Sequence, residues 1–248
     1  MPIQTDIVSH RGGTFLWPEN SLEAFRATLA LPVEQAECDV HLSADGVPVV
    51  IHDAVLNRLT DQKGAVAAHT AAELAGIRLR GARGGTVPTL AEVAGLFTDS
   101  SMQLQVEIKN DASGKPYPGL LERSLGALDA AGIRPRCRII AFDARIAAAA
   151  QQAGGLAGVI WLFEGVALEW LGVEGIIAVA RAYGLEMVET EIGALDAEIC
   201  ARLRQQGLRI AAWGANHAAS LEKAFALGLD AVATDDPVLA LQLRARGL

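Results

Sequence analysis

Four short stretches of the 248-residue chain hold ionisable side chains at spacings that could do chemistry. Glu37-x-Asp39 sets two carboxylates on one side of an extended segment, because strand side chains alternate with period two. Glu107-x-Lys109 does the same with a carboxylate and an ammonium, and His10-Arg11 and His52-Asp53 add two imidazoles. Three inward carboxylates repel one another unless a cation sits among them. Oxygen ligands without cysteine or a histidine pair favour Mg²⁺ or Ca²⁺ over Zn²⁺, with Mn²⁺ as a further hard ion. Glu37, Asp39 and Glu107 carry −3, and Lys109 and Arg11 carry +2, so the set is −1 by itself and repels an anion. One divalent ion makes it +1, which suits a monoanionic phosphodiester; a charge pair at about 4 Å contributes ~4 kcal/mol at an effective dielectric of 20, so the sign matters. Taken singly, each pair reads equally as a salt bridge, and it is the two histidines beside them that favour chemistry.

These residues need a scaffold that brings their segments to one rim. Short apolar, β-branched runs at 6–9, 35–41, 47–51, 103–109, 137–142, 157–162, 186–190, 208–213 and 230–234 read as strands. Between them, helical periodicity covers 21–30, 89–98, 119–131, 143–153, 173–183, 194–206, 218–227 and 237–246. Strand–helix alternation implies parallel strands joined by crossovers. Asn20-Ser-Leu-Glu23 and Thr89-Leu-Ala-Glu92 fit capping boxes, and Asp236-Pro237 fits an N-cap followed by proline at the first helical position. Nine strands is one too many for a (βα)8 barrel. The 35–41 and 47–51 runs are linked only by 42–46, whose Asp45-Gly46 pair is a hairpin signal, and a parallel crossover needs a dozen residues or more. The 47–51 run is therefore the return arm of a hairpin, and the other eight strands close a barrel within one domain, 1–248, with 46–101 inserted after the second strand. In such barrels functional groups sit at the C-terminal ends of strands. All four stretches fall there, with His52-Asp53 on the hairpin arm.

Composition limits the partners. Hydrophobic residues make up 51% and charged residues 20%, which supports a packed core and excludes disorder. A net charge of −8 argues against nucleic acid or an anionic membrane as a general partner. Cys38, Cys137 and Cys200 are scattered without metal or disulfide spacing. The first residues have no basic, apolar leader pattern, and no apolar run approaches the ~20 residues of a membrane span, so a cytoplasmic protein is expected. The oligomeric state cannot be read from sequence.

The order of motifs carries a resemblance. His10-Arg11-Gly12-Gly13, Pro18-Glu19-Asn20-Ser21, Ala24-Phe25, Glu37-Cys38-Asp39-Val40, Ser43, Asp45-Gly46, Val49-Val50-Ile51-His52-Asp53, Leu56, Arg58 and Thr60 resemble the signature of glycerophosphodiester phosphodiesterases. Glu107-Ile-Lys109, Trp213, Asn216 and Thr234-Asp235-Asp236-Pro237 follow in the same order, so the resemblance spans nearly the whole chain. It implies a TIM barrel of the phospholipase C-like phosphodiesterase type, one divalent metal, and hydrolysis of a small glycerophosphodiester to sn-glycerol 3-phosphate and an alcohol. Residue by residue it implies Glu37, Asp39 and Glu107 as metal ligands and His10 and His52 as the acid–base pair. Arg11 becomes a phosphate contact and Lys109 a charged neighbour of metal and phosphate. Glu19 becomes a polar partner of His10 or of the metal shell, and Trp213 an apolar wall for the glycerol. Two departures fall on the alcohol-side pocket: Ala141 stands where the family often has Ser before Phe142, and Gly214-Ala215 replaces the frequent Thr-Val.

The mechanism so implied is attack by the substrate's own glycerol 2-hydroxyl, then opening of a cyclic phosphate by water, with His10 as base and His52 as acid in the first step. Alternatives are a related barrel acting on lysophospholipids or another diester, and a ligand-binding barrel without turnover. The latter would have lost a triad or histidine position, and none is missing. Other residues take ordinary readings. His41, His69 and His217 are satisfied polar groups, Asn20 is an N-cap, and Trp161 and Trp170 pack. Asp53 orients a neighbour or caps a turn, and Asp235 is a loop hydrogen-bonder.

Overall fold

The computed structural model describes residues 4–247; the leader reading, so far as it rests on residues 1–3, lies outside them. The order is β1 (Asp6–Ser9), α1 (Leu22–Leu29), β2 (Gln35–Leu42), β3 (Pro48–Val50), α2 (Ala71–Leu74), α3 (Leu90–Leu96), β4 (Gln103–Ile108), α4 (Leu120–Ala130), β5 (Cys137–Ala141) and α5 (Ala144–Ala153), followed by β6 (Gly158–Leu162), α6 (Val166–Tyr183), β7 (Met187–Glu191), α7 (Ala197–Gln205), β8 (Arg209–Trp213), α8 (Ala218–Ala226), β9 (Ala231–Thr234) and α9 (Pro237–Arg244). Strands β1, β2 and β4 to β9 pair in parallel around a closed ring, with β1 bonded to both β2 and β9. This is a TIM barrel. Strand β3 lies antiparallel on β2 as the hairpin arm. Beyond it, residues 51–88 build a small cap with its own core of Ile51, Leu56, Val66, Leu74, Leu79 and Val87, and α3 packs between α1 and α4 in the crossover position.

Strand alternation divides the side chains into two layers. On β2, Ala36, Cys38 and Val40 face the helices, and on β4 Leu104, Val106 and Ile108 do the same. The barrel interior is filled by Val8, Ile140, Ile160, Leu162, Met187, Ala211, Ala231 and Ala233. Three of these are alanines from β8 and β9, which leaves room above them for a cleft. Trp161 faces outward into the helix layer and is buried, as expected of a packing residue.

Three local expectations are corrected. Asn20 is not an N-cap. The cap is Ser21, whose Oγ accepts from the Ala24 amide, while Asn20 adopts a left-handed backbone (φ 57°) and turns inward. Trp170 does not pack: it is 81% exposed. The helix expected from 173 begins at Val166, because a helical segment 166–171 precedes a break at Gly172 (φ 64°), where glycine carries no steric penalty.

Candidate active site

The parallel register of β2 and β4 sets Asp39 opposite Glu107. Glu37 lies two residues before Asp39 on the same inner face, and one carboxylate oxygen from each of the three residues lies within 4.8 Å of the others. All three side chains are buried, Asp39 completely. Their remaining oxygens are positioned by specific donors. The Arg11 backbone amide donates to Glu37 Oε2 at 2.9 Å, and Asn20 Nδ2 donates to Asp39 Oδ2 at 2.8 Å. Lys109 Nζ pairs with Glu107 Oε1 at 2.8 Å and lies 3.4 Å from Asp39 Oδ1. The Arg11 guanidinium reaches Asp39 Oδ2 at 3.2 Å.

Glu37 Oε1 and Asp39 Oδ1 are buried without a hydrogen-bond partner. Orphan anionic oxygens in a dry site are costly unless a cation takes them. Burial, with repulsion from Asp39 and Glu107, pushes the Glu37 carboxyl well above its usual range. Burial likewise raises Glu107 to about 7 against the pull of Lys109. Asp39 is also buried, yet Lys109 and Arg11 outweigh that and hold it below the carboxylate range. An all-oxygen set with two unpartnered atoms fits a hard divalent ion.

The His10-Arg11-Gly12-Gly13 turn explains its own composition. Arg11 has φ 52°, which aims its amide at Glu37, and such a backbone is costly for a non-glycine residue unless its surroundings enforce it. Gly12 has φ +82°, and a Cβ there would lie 2.7 Å from Ala24 Cβ. The turn therefore lies directly against α1.

Both histidines are oriented in the same way. His10 Nδ1 lies 2.6 Å from Asp235 Oδ1, and His52 Nδ1 lies 2.7 Å from Asp53 Oδ1. An ionised carboxylate only accepts, so Nδ1–H is the donor in each pair and Nε2 is left free. Asn216 clamps Asp235 by donating to its Oδ2 and accepting from its amide. Arg58, from the cap, forks onto Asp53 at 2.9 and 2.7 Å and onto Glu19 at 2.8 and 3.0 Å. Arg58 holds Asp53 at about 2. Burial lowers the His52 imidazole against the attraction of Asp39. His41 accepts or donates at Tyr117 Oη (3.0 Å) and donates to the His52 carbonyl (2.9 Å), so it is a satisfied polar group that also steadies the His52 backbone.

His10, Arg11, Glu37, His52, Glu107, Lys109 and Trp213 line one cleft of about 220 Å³ at the C-terminal mouth of the barrel. Asp39 lies beneath it, bonded to Arg11 and Lys109. Glu19 pairs with Arg58 and, at 3.4 Å, with Arg11, which itself reaches Asp39 of the cluster; no bond joins Glu19 to His10. Trp213 meets Phe142 edge-on, with ring centroids 5.6 Å apart, and the two form an aromatic wall. Asp235 is a hydrogen-bonder as expected, and its partner is His10; Asn20 orients Asp39 instead of capping; Glu189, at the cleft end of β7, is not among the expected site residues. That residue lines the cleft 3% exposed, and Oε2 has no partner. Its burial, with Glu107 nearby, pushes the carboxyl up to about 8.

The geometry can be set beside known proteins. The Glycerophosphoryl diester phosphodiesterase family model matches residues 10–239. A glycerophosphodiester phosphodiesterase of Caldanaerobacter subterraneus subsp. tengcongensis is 28% identical over 251 residues, covering 99% of this chain and 100% of the relative. A crystal structure from Agrobacterium tumefaciens, provisionally named a glycerophosphoryl diester phosphodiesterase, shares 31% identity with a TM-score of 0.95 and covers 98% of each chain. An Oleispira antarctica phosphodiesterase solved with the product sn-glycerol-3-phosphate has the same fold, with a TM-score of 0.79 at 22% identity over 97% of this chain and 96% of that one. A match running from His10 to beyond Asp235 encloses every residue of the cleft, and the chain belongs to the glycerophosphoryl diester phosphodiesterase family.

Proposed function

We propose that this protein hydrolyses glycerophosphodiesters to sn-glycerol 3-phosphate and an alcohol, with His10 and His52 as an acid–base pair and Glu37, Asp39 and Glu107 holding one divalent ion, Mg²⁺ or Ca²⁺. The observation that carries this reading is the pairing of each histidine's Nδ1 with its own aspartate in a cleft that also holds the three-carboxylate cluster. A bound divalent ion supplies Lewis-acid polarisation of the phosphoryl oxygens. Arg11 and Lys109, whose positive charges line the cleft, stabilise the anionic phosphoryl group beside it. His10 Nε2 takes the proton of the glycerol 2-hydroxyl as its oxygen bonds to phosphorus. His52 Nε2 gives a proton to the departing alkoxide as its bond to phosphorus breaks. Water then adds to the five-membered cyclic phosphate with the proton transfers reversed, which regenerates the 2-hydroxyl. Asp235 and Asp53 take Nδ1–H of the two rings, so that both Nε2 atoms face the cleft; the first step starts with His10 neutral and His52 as the imidazolium, and ends with those states exchanged. Trp213 and Phe142 wall the organic part of the substrate.

The test is turnover of a panel of glycerophosphodiesters after chelation and after restoring Mg²⁺, Mn²⁺ or Ca²⁺, with calorimetric titration of the ion into wild type and Glu37→Gln. Metal-dependent release of glycerol 3-phosphate, and loss of ion binding in the variant, are expected. Full activity in rigorously metal-free protein would sink the reading.

A further inference from the structure

Each histidine–aspartate pair has a third member. On the His10 side it is Asn216, which holds Asp235. On the His52 side it is Arg58, which comes from the cap and not from the barrel. Arg58 Nε donates to Asp53 Oδ2 at 2.9 Å, and Nη2 donates at 2.7 Å to Asp53 Oδ1, the same oxygen that takes His52 Nδ1–H at 2.7 Å. The outer edge of the guanidinium donates to Glu19, from Nη1 at 2.8 Å and from Nη2 at 3.0 Å. Glu19 in turn meets Arg11, and Arg11 meets Asp39, so a continuous series of opposite charges joins His52 to the carboxylate cluster.

The local sequence aims Arg58 at this task. Leu56 and Thr60, two residues to either side, are fully buried, Leu56 in the core of the cap, and the Thr60 amide and hydroxyl both donate to the Leu56 carbonyl. The turn is thereby fixed, and Arg58 projects from it toward the barrel. Its side chain is 48% exposed, and an exposed ion pair by itself contributes little to stability. Nor does the cap need it as a fastener: the Ala44 amide donates to the His69 carbonyl at 2.7 Å, and the Ala71 amide to Asp45 Oδ1 at 2.9 Å, which tie the cap to the β2–β3 hairpin. What the fork supplies is geometry. Two bonds from one planar group fix the plane of the Asp53 carboxylate, which a single ammonium cannot do. Among the described residues, the only other side-chain partner of Asp53 is the imidazole that it orients.

We infer that Arg58 is a positioning residue for His52: it holds the Asp53 carboxylate in the plane that aligns the His52 ring, and through Glu19 it ties that alignment to the β1–α1 loop, which also carries Arg11. The inference rests on the proposed phosphodiesterase reading and gives the cap a part in it. Arg58 lies outside the lining of the cleft and exchanges no proton; it acts only through Asp53 on His52. Its loss frees the ring to turn, which slows the step that His52 serves and leaves substrate binding alone. The same loss in a protein that has no His52 has nothing left to misalign.

The experiment compares Arg58→Ala with wild type on an alkyl glycerophosphodiester and on a glycerol aryl diester. On the alkyl diester kcat should fall by about 10- to 100-fold with KM nearly unchanged. On the aryl diester, whose leaving group needs little protonation, the loss should stay within about threefold. In a His52→Ala background the same substitution should cost no more than about twofold on either diester, because residues that act as a unit are not additive. Guanidinium ion should restore part of the alkyl-diester rate to Arg58→Ala and none to Asp53→Asn. Arg58→Lys, which keeps the charge but cannot fork, should show the same pattern at smaller amplitude, and it serves where Arg58→Ala does not fold. Equal losses on the two diesters that vanish in the His52→Ala background uphold the positioning and exchange the roles of the histidines. A loss that persists in full in that background overturns the inference, as does an unchanged kcat in Arg58→Ala. If no diester is hydrolysed, the failure lies in the phosphodiesterase reading, and the His52 Nδ1–H proton resonance, identified by its absence from His52→Ala, still decides. It should be present in wild type and broadened by exchange with water in Arg58→Ala; its persistence there overturns the inference.

Discussion

The two sides of the barrel mouth solve the problem of buried charge differently. On the side built by β1 to β4, nearly every charged atom has a protein partner: the Arg11 amide for Glu37, Asn20 and Arg11 for Asp39, Lys109 for Glu107, and aspartates for both histidines. The two oxygens left over belong to the three-carboxylate cluster and share one destination. On the side built by β5 to β8, Glu189 Oε2 meets no donor, and Glu107 across the cleft adds repulsion to its burial. The first arrangement is preorganised: its groups are fixed before anything binds, as transition-state stabilisation requires. The second leaves one buried carboxyl group without a donor, and burial raises it instead.

That contrast predicts where damage should be felt. Glu37→Gln, Asp39→Asn or chelation should cost roughly 10⁴-fold in kcat/KM, since several kcal/mol of charge stabilisation is removed. Apo melting temperature should hold or rise slightly in Glu37→Gln, because a carboxylate repelled by its neighbours is gone, and fall in Asp39→Asn, which leaves Arg11 and Lys109 without their shared partner. A large fall in Glu37→Gln would instead make that carboxylate structural.

Next come the histidines, at about 10³-fold each on alkyl diesters. They should be distinguishable. His52→Ala, removing the acid, should cost far less on a glycerol aryl diester, whose leaving group departs as a stable anion. His10→Ala should cost similar factors on both. The reverse pattern would exchange the two roles, and no pattern would dismiss the pair.

Asp235→Asn should lower kcat by about 10- to 100-fold with KM nearly unchanged, the usual scale for a group that orients another. Asn216→Ala, which removes the clamp on Asp235, should lower kcat in the same direction with KM again nearly unchanged, because both changes free the His10 ring to turn. A change in melting temperature without that selective loss of kcat would reduce Asp235 to a packing role.

On the other side of the mouth the effect is read in stability, with little expected in the rate of the metal-loaded protein. Glu189 is held at about 8, above its unfolded value near 4.5. Between those limits the folded protein keeps a proton that the unfolded chain has released, so its contribution is full below about 4.5 and is lost as pH rises through 8. Glu189→Gln should flatten the fall in stability of metal-free protein over that window, by at most about 1.4 kcal/mol per pH unit. Denaturant melts at pH 5, 6.5 and 8 read it. An unchanged slope would place the titrating group elsewhere.

What could be read in the sequence depended on distance along the chain. Glu37 with Asp39, Glu107 with Lys109, and His52 with Asp53 are close neighbours, and a strand's alternation converts such spacing directly into a shared face. The hairpin was legible for the same reason, since a five-residue link permits only an antiparallel return. Contacts made by closure of the barrel were not. Asp235 meets His10 across 225 positions, and Arg58 joins Glu19 to Asp53 across the cap, so nothing local marks these partners. Asn20 misled because Asn is as good an N-cap as Ser, and only Asp39's need for a donor decides between them. Trp170 misled because tryptophan is ordinarily well buried, and here it sits on a short helical segment before the Gly172 break.

The bond between His10 and Asp235 also sets a schedule. A ribosome releases β1 well before β9, yet β9 supplies the strand that pairs with β1 and leads into Asp235, the aspartate that aligns the His10 imidazole. A nascent chain that has emerged only through β8 has the first histidine, the carboxylates and the cap, but an open edge beside β1 and an imidazole free to turn. Hydrolytic competence therefore cannot build up gradually during translation; it arrives with the closing strand, when the barrel becomes a ring.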